Sequence, residues 1–65
     1  MKLRDLKQHL TEYQCYFVRE GGNHTIWGSP HSNVYAKIPR HRNIAKGTVH
    51  KICKELNIPN PKSLT

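Results

Sequence analysis

The sequence predicts a single α+β domain in the order α-β-β-β-α, with a three-stranded antiparallel sheet and two helices laid on one of its faces. Three observations carry that expectation: apolar residues recur at helical spacing at both ends, short aromatic and β-branched runs fill the middle, and turn-forming clusters separate those runs. A chain of 65 residues holds one such domain and not two.

Leu3, Leu6, Leu10 and Tyr13 share one helical face, with Arg4, Lys7, Gln8 and Thr11 between them, so Lys2 to Tyr13 reads as an amphipathic helix. Cys15 to Arg19 is aromatic and β-branched and suits a strand. Gly21-Gly22-Asn23 tolerates the positive φ of a hairpin turn, and Thr25-Ile26-Trp27 continues as the second strand. Gly28 to Asn33 is dense in turn formers. Val34, Ala36 and Ile38 then alternate with Tyr35 and Lys37, a third strand that Pro39 closes. After the loop Arg40-His41-Arg42-Asn43, the residues Ala45, Val49, Ile52, Cys53 and Leu56 form the stripe of a second helix. That helix begins at Asn43 or near Lys46-Gly47-Thr48, and Asn57, Pro59 and Pro61 stop it. Residues 1–58 are therefore expected to form the domain and 59–65 a flexible tail.

The formal net charge is +7, and no Asp or Glu occurs between Glu20 and Glu55, while Lys37, Arg40, Arg42, Lys46, Lys51 and Lys54 do. A polyanion is the natural partner of such a stretch, because Lys and Arg release the counterions that phosphates condense. An acidic protein would satisfy the same field. No run approaches the roughly 18 apolar residues of a membrane span, and the polar start is unlike a secretory signal, so a cytoplasmic protein without membrane association is expected. Cys15 and Cys53 form no Cys-x-x-Cys pair and read as small buried hydrophobes. Neither a metal nor a small-molecule cofactor is called for.

His24 stands where the glycine turn becomes strand. An unperturbed imidazole titrates near neutral pH, so such a side chain can take a proton from a ribose 2'-hydroxyl or give one to a leaving oxygen, provided cations stabilise the developing phosphorane charge. From the residues alone, a lone histidine beside a turn is more often a surface or capping residue than a catalyst. His41, between Arg40 and Arg42, reads as part of a phosphate-contacting loop, and His50 shares a helical face with Lys46 and Lys54. His9 and His31 read as surface residues. The free amides at the start of the second helix would add to the pull of Arg40 and Lys46 on a phosphate. Trp27, Tyr16 and Tyr35 could stack on bases if they face outward, and the pattern leaves the faces of the first two strands open.

Phe17-Val18-Arg19 leading into Gly22-Asn23-His24, then Ile38-Pro39-Arg40-His41, then Lys46-Gly47-Thr48-Val49, resemble the HicA-type (YcfA-like) toxins of bacterial toxin-antitoxin pairs. The likeness runs from Met1-Lys2-Leu3-Arg4-Asp5-Leu6 to Ile58. It implies a fold like that of double-stranded-RNA-binding domains and an mRNA interferase that cleaves mRNA without a metal, with His24 as its catalytic residue. Lys37, Arg40, His41 and Lys46 are then the expected RNA-binding residues, and a HicB-like antitoxin the expected protein partner. The chain departs from the family pattern at Asn23, where serine is common, and at Thr25-Ile26-Trp27, where a second histidine and a phenylalanine are frequent. His24 thus lacks a neighbouring imidazole in sequence.

Overall fold

The computed structural model describes residues 1–62. Five elements follow in the expected order: α1 (Leu3–Glu12), β1 (Tyr16–Gly21), β2 (His24–Ser29), β3 (Ser32–Pro39) and α2 (Lys46–Leu56). The sheet is antiparallel with strand order β1-β2-β3. Of the tail expected at 59–65, residues 63–65 lie outside the described residues; Pro61 is buried, and the Pro59 carbonyl lies 2.8 Å from His9 Nε2.

Leu6 and Leu10 of α1 are fully buried, as their spacing requires. Glu12 is the last helical residue, and Gln14 then adopts φ 63°, a left-handed step that lets the Cys15 N–H donate to the Leu10 carbonyl at 2.9 Å. The chain is thereby turned from α1 into β1. At the other end, α1 is not held by a side-chain cap: the Leu3 N–H donates to the Arg42 carbonyl at 2.8 Å, and Lys2 bridges to Asn43. Asn43 therefore pairs with the start of α1 and does not begin the second helix. That helix starts at Lys46 behind Ala45, again without a side-chain cap.

Register decides which residues share a face. Phe17, Trp27 and Ala36 are opposite one another, as are Glu20, Thr25 and Ile38, so these point to the helix side. Trp27, Ala36 and Ile38 join Leu6, Leu10, Val49, Ile52, Cys53 and Leu56 in one core. Trp27 is thus a core residue. Its indole Nε1–H donates to Thr25 Oγ1 at 3.1 Å inside that core, which removes the cost of burying an unpaired donor. The opposite face carries Tyr16, Arg19 and Gly21 from β1, His24, Ile26 and Gly28 from β2, and Tyr35 and Lys37 from β3. No helix covers it.

The pairing is irregular at two places, between Phe17 and Arg19 on β1 and between Trp27 and Ser29 on β2. Val18 is the extra residue of the first, and it explains why strict alternation along Cys15 to Arg19 could not assign faces. β3 starts at Ser32, two residues before the sequence predicts. The Ser32 hydroxyl donates to the Glu55 carbonyl at 2.7 Å and accepts from the Val34 N–H at 3.0 Å, so a turn-forming residue is drawn into the strand by its side chain.

Candidate active site

The uncovered sheet face presents one histidine. His24 opens β2, half-buried, with Gly21 opposite it on β1 and Pro39 on β3. Its imidazole rests on Gly21, where a Cβ would stand 3.1 Å from His24 Nε2 and 3.4 Å from Ile26 Cδ1. Any larger residue would crowd that seat. Ile26, two residues further on and 7% exposed, floors the face beside the ring, flanked in register by Arg19 and Lys37. Among the described residues no hydrogen bond or ion pair engages the His24 ring. His9 and His31 differ, for their ring nitrogens lie 2.8 Å and 3.1 Å from the Pro59 and Tyr13 carbonyls and tie segments of chain together.

The Gly22 turn, at φ 72°, brings the end of the hairpin against the exit from β3. There the Arg40 N–H donates to the Asn23 carbonyl at 3.4 Å, and the Arg40 guanidinium pairs with the Glu20 carboxylate. Gly22, Asn23, Arg40 and His41 line a shallow open hollow. His41 also borders a second hollow with Asn43, Ala45 and Thr48, at the first turn of α2. Lys46, exposed, is the first residue of that helix, whose first turn holds no acid. A rim therefore runs from the hairpin through Arg40 and His41 to the second hollow, with Lys46 following Ala45 in sequence at the start of α2.

Lys37 stands apart from that rim. It lies on the face of His24 and Ile26 and borders a third hollow with Thr48, Lys51 and Glu55 of α2. The expected residues are thus arranged on two sides of the hairpin turn, with His24 and Lys37 on the sheet face and Arg40, His41 and Lys46 along the rim. Two relations are not visible in the sequence, although Gly21 itself stands out there as a turn glycine. Gly21 is the seat of the imidazole, and the Glu20 carboxylate is already paired with the Arg40 guanidinium. Neither has a local signal, because both relations cross strands.

The thiols take no part in this surface. Cys15 and Cys53 are buried, and burial holds both above the ordinary thiol range. Cys53 is pushed up to about 11 by burial and by the nearby Cys15, while a hydrogen bond with Ser29 partly offsets the rise at Cys15. Neither is a thiolate at neutral pH.

Among the described residues no helix is long and apolar enough to cross a membrane. The family whose model matches the chain is described as the HicA toxin of bacterial toxin-antitoxin, over residues 3–58. Comparison with curated proteins and with solved structures finds no match.

Proposed function

The chain belongs to the HicA toxin family, the toxin side of a toxin-antitoxin system, and from that premise we propose that it is a cytoplasmic, metal-independent endoribonuclease acting on mRNA. The observation that carries this reading is the His24 imidazole, seated on Gly21 at an uncovered sheet face and free of any competing hydrogen bond among the described residues. His24 serves as the general base or acid. As base it takes the 2'-hydroxyl proton while that oxygen attacks the adjacent phosphorus; the P–O5' bond breaks and the 5' oxygen leaves with a proton from water. Lys37 stabilises charge on the phosphorane-like transition state from the same face, while Arg40, His41 and Lys46 hold flanking phosphates along the rim.

A toxin of this kind has an antitoxin partner, here proposed to be HicB-like and acidic enough to cover the histidine and the rim together. Charge complementarity would steer and orient that docking. The stretch without carboxylates between Glu20 and Glu55 suits either polyanion.

The test is cleavage of single-stranded RNA by highly purified protein in EDTA. Wild type should cleave, His24→Ala should lose on the order of 10² to 10⁴ in rate while unfolding at the same temperature, and a strand with one 2'-deoxyribose at the cut should resist there. Folded His24→Ala protein that cleaves as wild type does would sink the assignment. A second reading, a non-catalytic RNA-binding module, is favoured by the charge distribution and would be indicated by salt-sensitive RNA association with no products.

A further inference from the structure

The uncovered face has a second built feature, at the end away from the histidine. Tyr16 and Gly28 are opposite in register, and the outer end of the Tyr16 ring occupies the place of a side chain on Gly28: a Cβ there would stand 2.9 Å from both Cε2 and Cζ and 3.0 Å from the hydroxyl oxygen. Gly28 seats Tyr16 as Gly21 seats His24. Tyr16 is 48% exposed, and among the described residues its hydroxyl has no hydrogen-bond partner, so the ring is held from beneath and open above. Tyr35 of β3, 58% exposed, projects from the same face, with the cations Arg19 and Lys37 between this aromatic end and His24.

Position gives this ring a role. His24 and Gly28 are four residues apart on β2, which puts Tyr16 about 13 Å from the histidine, given a rise of about 3.3 Å per residue. An extended single strand lying along the face would reach the tyrosine within a few nucleotides of the scissile phosphate. Exposed aromatic rings beside cations are how proteins hold single-stranded RNA without reading its sequence, since every base has a π-face.

We propose that Tyr16, propped on Gly28, is a stacking subsite for a nucleobase of single-stranded RNA a few nucleotides from the bond cut at His24. The inference rests on the ribonuclease reading for its substrate. The competing explanation is that Tyr16 merely shields a strand glycine, as aromatic residues do across sheets. A shield contributes stability and has no preference among ligands. A subsite has one.

The experiment measures affinity, at fixed salt, in the His24→Ala background, so that no cleavage intervenes. The ligands are a short labelled single-stranded oligoribonucleotide, a fully abasic strand of equal length, and duplex RNA. Tyr16→Ala should weaken binding to the base-bearing strand by about tenfold, and Tyr16→Phe should keep it, because stacking needs the ring and not the hydroxyl. Tyr16→Ala should bind the abasic strand and the duplex as the parent does. Gly28→Ala, compared at a temperature where it is folded, should reproduce the selective loss with the tyrosine still present. Equal weakening on all three ligands, or none, overturns the subsite. So does a loss confined to the affinity for an acidic antitoxin. Because binding is read without turnover, failure of wild type to cleave RNA would count against the ribonuclease reading and leave this result standing.

Discussion

At the scale of the residue, what places His24 is the side chain that Gly21 does not have. A methyl group at Gly21 would meet the imidazole nitrogen at 3.1 Å, closer than side chains ordinarily pack, so Gly21→Ala should displace the ring. The contact asks the imidazole to give by a few tenths of an ångström, and small misplacements of a reacting group lower rate. On the proposed ribonuclease reading, we expect Gly21→Ala to lose about threefold to tenfold in RNA cleavage with its unfolding temperature nearly unchanged, checked by single-turnover kinetics beside thermal denaturation. Gly22→Ala is the contrasting control: nothing lies within 4 Å of its Cβ, but φ of 72° penalises any side chain, so its cost falls on stability by about 1 kcal/mol. The turn and its histidine were legible in the sequence, and the division of labour between the two glycines was not. It depends on register across β1 and β2, which the extra residue Val18 shifts.

At the scale of the element, both helices end by the same device from different residues. Gln14 (φ 63°) follows α1 and Asn57 (φ 56°) caps α2, each in the left-handed region. Asparagine suits that conformation, and its Nδ2 also donates to the His31 carbonyl at 2.9 Å, so Asn57 was readable as a stop. Glutamine has no such preference, and the sequence put the end of α1 near Tyr13 from periodicity alone. Gln14→Gly should therefore stabilise the protein by about 1 kcal/mol, seen as a higher midpoint in urea with an unchanged slope. The side-chain bond it forfeits, from Gln14 Nε2 to the Glu12 carbonyl at 3.3 Å, is exposed and weak. Helix starts were less legible than helix ends. Lys2 and Ala45 offer no capping side chain, and Asn43, which looks like one, is used in a bridge to the other end of the domain.

At the scale of the whole molecule, order and core were readable because the 3.6-residue and two-residue periods are written directly in the apolar residues, whereas the distribution of function over the two sheet faces was not. Trp27, Tyr16 and Tyr35 look alike in sequence; only pairing sends the first into the core and the others outward. The buried thiols add a global prediction. Their folded-state values lie above the ordinary thiol value of 9.0, so above about pH 9 the unfolded chain gives up protons that the folded chain keeps, and unfolding is favoured as pH rises. Below that pH their contribution is fully present, and for Cys53 it is lost progressively until about 11. The loss from Cys53 should be of the order of 2–3 kcal/mol. Urea denaturation at pH 7, 9 and 10.5 checks it, and Cys53→Ala should flatten the decline.

The bulge at Val18 has a consequence for how the molecule keeps to itself. β1 is an edge strand, exposed at Tyr16, Phe17 and Val18, and a straight edge of that composition would invite another copy to hydrogen-bond alongside it. An extra residue in the middle bends the strand and breaks the even ladder of donors and acceptors that an incoming strand must match. The irregularity that hides the faces from the reader of the sequence also guards a small aromatic sheet against growing into a fibre.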